Sequence, residues 1–110
     1  MKRDEVLHEA EKLINGQRAK DYGDAYLNHN RIAVGWNEIV KGAIGSHGYL
    51  TAAHVALMMD WVKTARLLND IRHDDSWIDK CGYSALGGEF TEREKTISKR
   101  LDKILGKSND

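Results

Sequence analysis

No proline occurs anywhere in the 110 residues, whereas glycine occurs ten times. Proline normally interrupts helices and marks loops and domain linkers, so its absence favours long helices joined by glycine turns. Charged residues make up 31% of the chain and hydrophobic residues 41%, a balance that suits amphipathic helices. At this length the chain forms a single domain, residues 1–110. We therefore predict an all-α protein that folds as a compact bundle of four or five helices.

Seventeen basic and seventeen acidic side chains give a formal net charge of zero, which disfavours nucleic acid as a partner. No run of about 20 apolar residues is present, so we expect no membrane span. The single cysteine, Cys81, excludes an intrachain disulfide, and the charged beginning of the sequence is unlike a secretory signal; both features predict a cytoplasmic protein. Because a domain this small buries little surface, we also predict a homo-oligomer.

The apolar pattern predicts five helices, at about residues 3–15, 25–41, 51–69, 76–88 and 92–105. A polar turn would span residues 17–24, and a glycine-rich connection would span residues 42–48. Gly87 and Gly88 would end the fourth helix, and a capping box beginning at Thr91 would open the fifth. The core would then cover about residues 3–90, with an accessory C-terminal helix at about 91–105.

Asp75 and Asp79 lie four residues apart, a spacing that places both carboxylates on one face of a helix. Two close carboxylates repel each other unless a cation compensates. That cation is either Mg²⁺, which prefers carboxylate oxygens, or a neighbouring lysine or arginine. The residues alone leave both alternatives open, together with a plain stabilising role for Asp75 at the start of the helix.

Lys63 and Arg66 share a face of the apolar third helix. A lysine buried there needs a partner, which is either the Asp75 and Asp79 pair or a bound phosphate gripped by the Arg66 fork. If Lys63 only balances buried carboxylates, Lys63→Ala should destabilise the protein by ~3–5 kcal/mol. If Lys63 serves a ligand, binding should fall while stability holds.

A polar segment with Arg18, Tyr22 and Asp24, followed by Asn28, leads into the second predicted helix. Such a segment at a helix N-terminus is suited to binding an anion. The alternatives are that Asp24 only caps the helix and that Tyr22 only packs.

The segments described above contain a set of motifs in a defined order and at defined spacings. The motifs are Arg-x-x-x-Tyr-Gly-Asp, a following Asn, a Trp-bearing helix, Thr-Ala-x-x-Val-Ala-Leu-Met-Met-x-x-x-Lys-x-x-Arg, and Asp-Ser-Trp-x-Asp-x-x-Gly-Tyr. They lie at Arg18 to Asp24, Asn28, Trp36, Thr51 to Arg66, and Asp75 to Tyr83. Over about residues 5–90 the chain resembles a family of small phage and prophage proteins described only as a domain of unknown function. That resemblance implies a protein acting in the cytoplasm of the host cell.

In helical layout, that family is in turn similar to the all-α nucleoside triphosphate pyrophosphohydrolases of the MazG type. The resemblance implies an oligomeric bundle that holds Mg²⁺ on carboxylates and cleaves a nucleotide between its α and β phosphates. The implied roles are metal binding for Asp24, Asp75 and Asp79, catalysis for Lys63, Asp75 and Asp79, and nucleotide binding for Arg18, Tyr22, Asp24, Asn28, Arg66 and Tyr83. The Glu-Glu-x-x-Glu and Glu-x-x-Asp motifs of the MazG type are absent from this chain. The resemblance therefore implies either an active enzyme or a relic that still binds nucleotides.

A different class of function is a non-enzymatic phage accessory protein that binds and modulates a host protein. An exposed apolar patch on the third or fifth predicted helix would distinguish it from a nucleotide-binding protein. A third hypothesis, nonspecific nucleic-acid binding through the basic last helix, is disfavoured by the zero net charge.

Overall fold

A computed structural model describes residues 1–106, apart from the side chains of Ala19, Asp21 and Tyr22. These residues form four long helices and one short helix, and this described part contains no strand. The helices are α1 (Arg3–Asn15), α2 (Gln17–Tyr22), α3 (Ala25–His47), α4 (Ala52–Asn69) and α5 (Asp74–Ile104). The prediction of an all-α protein is confirmed.

Helix α4 is the centre of the fold and packs against α3 on one side and α5 on the other. Two indole groups join α3 to α4: Trp36 Nε1 donates to the Met58 carbonyl at 2.8 Å, and Trp61 Nε1 donates to the Arg31 carbonyl at 2.8 Å. A Cβ at the buried Gly35 would overlap the Trp61 ring, so this close approach of α3 and α4 requires glycine. The indoles thus fix the antiparallel register of α3 and α4.

Side-chain caps define where α3 and α4 begin. The Asp24 carboxylate accepts a hydrogen bond from Leu27 N at 2.8 Å and caps α3. Thr51 caps α4, and His54 completes a reciprocal capping box. Thr51 N donates to His54 Nδ1 at 3.1 Å, so histidine takes the place that Glu or Gln usually holds in this motif.

The first two connections differ from the predicted ones. The predicted polar turn at residues 17–24 contains α2, which ends before Gly23 at a φ of 69°. The predicted helix at 25–41 continues to His47, because Gly42 and Gly45 adopt helical geometry and only Gly48 takes a positive φ, 82°. Gly48 then ends α3 by donating its N–H to the carbonyls of the last turn.

The predicted break between the last two helices is wrong. The predicted helices at 76–88 and 92–105 are parts of one helix of 31 residues, which ends at Ile104. A Cβ on Gly87 would lie 3.3 Å from the Ala56 Cβ, so this glycine allows close packing of α5 on α4 and does not end a helix. Thr91 Oγ1 donates back to the Gly88 carbonyl at 2.8 Å, inside the same helix. The predicted boundary near residue 90 therefore falls within α5.

The core is small and the molecule is extended. The buried apolar residues in the described part of the chain are Ala43, Ala56, Ala65 and Leu67. The molecule measures 58 × 36 × 24 Å, with a radius of gyration of 18.8 Å, whereas a compact domain of this length has about 13 Å. The predicted compactness is therefore wrong. Among the described helices, none has the length and apolar character needed to cross a membrane.

Candidate functional site

The turn at Gly23 lies against the end of α4. A Cβ on Gly23 would overlap the Asn69 side-chain amide, and the φ of 69° also disfavours any other residue here. This contact brings the start of α3 to the C-terminal end of α4. The glycine of the Arg-x-x-x-Tyr-Gly-Asp motif is therefore required both by its backbone conformation and by the close approach of Asn69.

One buried polar residue from each of the three main helices lies at this end of the bundle. Asn28, Arg66 and Ser76 are 8%, 7% and 1% exposed. Asn28 lies between two contacts with α4, namely the Gly23–Asn69 contact before it and the Trp61–Arg31 hydrogen bond after it. These contacts place Asn28 beside the last turns of α4. We call these three residues the polar end.

The first turn of α5 reaches the same level of the bundle. Lys63 Nζ of α4 lies 3.1 Å from Asp79 Oδ2 of α5, and the two helices run antiparallel. In α5, Ser76 precedes Asp79 by three residues. In α4, Arg66 follows Lys63 by three residues. The register therefore places Ser76 and Arg66 at the same height.

Two members of the polar end have partners within the chain. Ser76 Oγ lies 2.7 Å from His73 Nδ1, and Arg66 is held by an interaction of its own. The Asn28 side-chain oxygen is buried and accepts no hydrogen bond from the described residues. Leaving a buried acceptor unsatisfied costs about 1–3 kcal/mol, so such an atom marks a place where a ligand donor would be stabilising.

A ladder of ion pairs joins α4 to α5 next to the polar end. Lys63 and Asp79 pair with side-chain exposures of 26% and 46%. One turn before Lys63 in α4, Asp60 pairs with Lys80 of α5. Lys80 Nζ lies 3.0 Å from both Asp60 carboxylate oxygens and 2.6 Å from Thr64 Oγ1. The sequence-based alternative that Lys63 is balanced by Asp79 is therefore what the structure shows, whereas Asp75 is exposed and has no contact with Lys63.

The carboxylates predicted to hold Mg²⁺ do not form a ligand group. Asp24 caps α3, Asp79 is paired with Lys63, and Asp75 is exposed in the first turn of α5. In residues 1–106, leaving out the side chains not described, no three His, Cys, Asp or Glu side chains come together to hold a metal ion. The described residues thus do not fit the metal site that the resemblance implies.

The remaining predicted ligand-binding residues are scattered. Arg18 is exposed on α2, and the Tyr22 side chain lies outside the described residues. Tyr83 is half-buried in a shallow groove of 240 Å³ between α4 and α5, which Asp60 also lines. Of the predicted set, the structure brings Asn28 and Arg66 to the polar end and leaves Tyr83 about two turns away along α5.

Lys80 and Ser76 were not among the candidate residues predicted from the sequence. Asp60 lies three residues before Lys63, and Asp79 is adjacent to Lys80, so each helix carries one acid and one base close together. Pairing two such helices antiparallel would have suggested both ion pairs. Ser76 carries no comparable signal, because serine at the start of a helix is usually a surface residue.

The fold and its buried polar residues define a small all-α protein with a polar group at one end of its helices. The chain belongs to the family Domain of unknown function DUF6378, whose profile matches residues 5–91. The resemblance to a phage protein family of unknown function is thereby confirmed, and the similarity to the MazG type stays a prediction.

The curated relatives are phage proteins. The chain is 42% identical over 81 residues to the Gene 55 protein of Mycobacterium phage L5, covering 74% of this chain and 49% of that protein. It is 33% identical over 79 residues to the Gene 55 protein of Mycobacterium phage D29, covering 72% and 48%. The chain therefore spans about half the length of these relatives. No solved structure matches.

Proposed function

We propose that this chain binds a nucleotide, or another small molecule that carries a phosphate, at the polar end formed by Asn28, Arg66 and Ser76. The observation that supports this proposal is the buried Asn28 oxygen, which accepts no hydrogen bond from the described residues. As an acceptor, it needs a donor from the ligand, and the hydroxyl groups of a sugar and the N–H groups of a base are donors of that kind.

Arg66 supplies the complementary recognition of phosphate. Its guanidinium has five N–H donors, so it can bind a phosphate oxygen in addition to the partner that it already has. Burial of Arg66 to 7% exposure strengthens its attraction for an anion, because water screens the charge little there. Lys63 lies one turn away on the same face and adds positive charge, partly offset by Asp79.

The proposal is limited to binding. Hydrolysis with Mg²⁺ rests on the resemblance to the MazG type alone, and the described carboxylates do not fit the required metal site. No catalytic step is therefore assigned to Lys63, Asp75 or Asp79. Measuring pyrophosphate and monophosphate release from nucleoside triphosphates with Mg²⁺ separates an enzyme from a binding protein.

The Asn28→Leu variant tests the proposal. Leucine has a similar volume and removes the unsatisfied oxygen, so the free energy of unfolding should hold or rise by up to about 1–3 kcal/mol. Affinity for ATP, dATP and the corresponding monophosphates should fall about tenfold or more, which corresponds to the loss of one hydrogen bond. Calorimetric titration gives the affinity, and urea unfolding gives the stability.

Asn37→Leu is the matched control, since Asn37 is exposed on the same helix. This variant should keep the affinity of the unchanged protein. The proposal fails if no nucleotide raises the unfolding temperature of the unchanged protein. It fails equally if Asn28→Leu loses stability and keeps its affinity, because Asn28 would then have a structural role only.

The alternative function, binding of a host protein, is favoured by the exposed apolar residues at the end of α5. Ile97, Leu101 and Ile104 are all exposed. Such a surface is what a protein-binding accessory would present. The state of association of the purified protein decides between a host protein and a second copy of this chain as its partner.

A further inference from the structure

One face of α5 carries a continuous heptad pattern. Positions with alternating spacings of four and three run along its whole length: Ser76, Lys80, Tyr83, Gly87, Phe90, Glu94, Ile97, Leu101 and Ile104. The first four positions face α4, as shown by the buried Ser76, the Lys80–Asp60 pair and the approach of Gly87 to Ala56. The rest of the pattern becomes more apolar towards the C-terminal end.

In the part of the chain that the structure describes, the second half of this face extends beyond α4 and packs on no other helix. Helix α4 begins at Ala52, and Ala53 lines the same groove as Thr91 of α5. Beyond Thr91, Ile97, Leu101 and Ile104 are therefore 56%, 53% and 80% exposed. We call residues 91–104 the α5 arm. A groove of 780 Å³ runs between this arm and the connection from α3 to α4, where it is lined by Tyr49.

The surface area of the chain points to a partner of its own size. The accessible surface is 8637 Å², whereas a folded monomer of 12.5 kDa has about 6200 Å². This excess of about 2400 Å² is spread over the chain, including α1, which has no buried residue, and it is larger than the ~800 Å² that each partner buries in a standard interface. A short peptide would cover only a fraction of it.

We infer that two copies of this chain associate through their α5 arms, each arm lying in the groove beside the arm of the other copy. The heptad face that packs on α4 within one copy then continues onto the second copy. Leu101 and Ile97 of both arms become buried at the centre of the interface.

The charges of the arm favour an antiparallel pair. Residues 91–95 carry two acidic and two basic side chains, whereas residues 96–104 carry one acidic and three basic ones. An antiparallel arrangement brings the neutral beginning of one arm beside the basic end of the other and keeps the two basic ends apart. A parallel arrangement would place like charges together.

Sedimentation velocity over a range of protein concentrations tests the association. The unchanged protein should have twice the 12.5 kDa mass of the single chain. Ile97→Glu should give the single-chain mass, because a carboxylate would be buried at the centre of the interface. A monomer at all concentrations overturns the inference, as does an Ile97→Glu variant that stays dimeric.

Thr96→Glu is the matched control, since it adds the same charge at an exposed neighbouring position outside the heptad face. This variant should remain dimeric, and both variants should keep the helical circular dichroism signal. If the protein is monomeric and a host protein binds the arm, the second-copy inference is overturned and the host-protein hypothesis gains support.

Spin labels distinguish the two orientations. Labels are placed at Glu92→Cys or at Lys103→Cys, each in a Cys81→Ser background, because the exposed Cys81 would otherwise also react. In an antiparallel pair, we add the distance along the helix axis between the two labels at position 92 and the corresponding distance between the two labels at position 103. The sum should be about 33 Å, because the two positions are about 16.5 Å apart on each arm at 1.5 Å per residue. Two short separations would mean parallel arms and would overturn the antiparallel arrangement.

Discussion

At the scale of single residues, the two lysines of the α4–α5 ladder look alike in the sequence and differ in the structure. Lys80 contacts three oxygen atoms of Asp60 and Thr64 within 3.0 Å. Among the described residues, Lys63 forms an ion pair with Asp79 alone, and Asp79 is 46% exposed. When its lysine partner is lost, the Asp79 carboxylate can therefore be solvated by water. The less exposed Asp60 carboxylate would be solvated less well.

Replacing each lysine by alanine should show this difference. Lys80→Ala should lower the free energy of unfolding by about 1–3 kcal/mol, because it leaves Asp60 and Thr64 without their partner. Lys63→Ala should lower it by only about 0–1 kcal/mol, the range for exposed ion pairs. Urea unfolding of both variants measures these losses.

Equal losses from the two variants would contradict this account. A loss of ~3–5 kcal/mol for Lys63→Ala would mean that Lys63 is buried as deeply as the sequence pattern suggests. The 26% exposure of its side chain is the reason for expecting less.

Among the candidate site residues, the sequence predicted pairings better than positions. Lys63 and Asp79 were predictable because an apolar helix with one buried lysine requires an acidic partner on a neighbouring helix. The unsatisfied oxygen of Asn28 was not predictable. Its burial results from the packing of α3 on α4, and no pattern of neighbouring residues encodes that depth.

At the scale of secondary-structure elements, α1 and α4 were predictable and α5 was not. α1 and α4 are bounded by strong local signals, namely Gly16 after α1 and the Thr51 cap before α4. Two consecutive glycines followed by a capping-box pattern are equally strong signals, yet α5 runs through them. Packing on Ala56 selects glycine at position 87, so a tertiary contact overrides the local preference.

The Gly88→Ala variant tests the continuity of α5. No atom lies within 4 Å of a Cβ added at Gly88, and glycine inside a helix costs roughly 0.5–1 kcal/mol relative to alanine. Gly88→Ala should therefore raise the free energy of unfolding by about that amount, as measured by urea unfolding.

Gly48→Ala is the contrasting variant, because Gly48 ends α3 with a φ of 82° in equally open space. It should destabilise the protein by about 1 kcal/mol or more, since alanine is strained at positive φ. If Gly88→Ala behaves like Gly48→Ala, position 88 ends a helix and α5 is interrupted.

At the scale of the whole molecule, a small core and a large apolar surface occur together. Three of the four buried apolar residues in the described part are alanines, which bury little area each. The α5 arm adds exposed leucine and isoleucine without adding core. The association that we infer through the α5 arms would couple folding to protein concentration.

The melting temperature should accordingly rise with protein concentration. A hundredfold increase should raise Tm by about 5 °C, from the mass-action contribution and the usual entropy of unfolding for a domain of this size. Scanning calorimetry at several concentrations measures this shift. The Ile97→Glu variant should melt at a temperature that does not depend on concentration, and a concentration-independent Tm for the unchanged protein would contradict coupled folding and association.

The three tryptophans lie at two junctions of the molecule. Trp36 and Trp61 bond across the α3–α4 interface, whereas the half-exposed Trp77 donates to the Ile71 carbonyl at 3.0 Å at the start of α5. Indole emission moves to longer wavelength when the ring meets water. Variants that keep one tryptophan each would therefore give separate optical signals for the docking of α3 on α4 and for the anchoring of α5. The protein thus carries native fluorophores that can show whether its helices assemble together or in sequence.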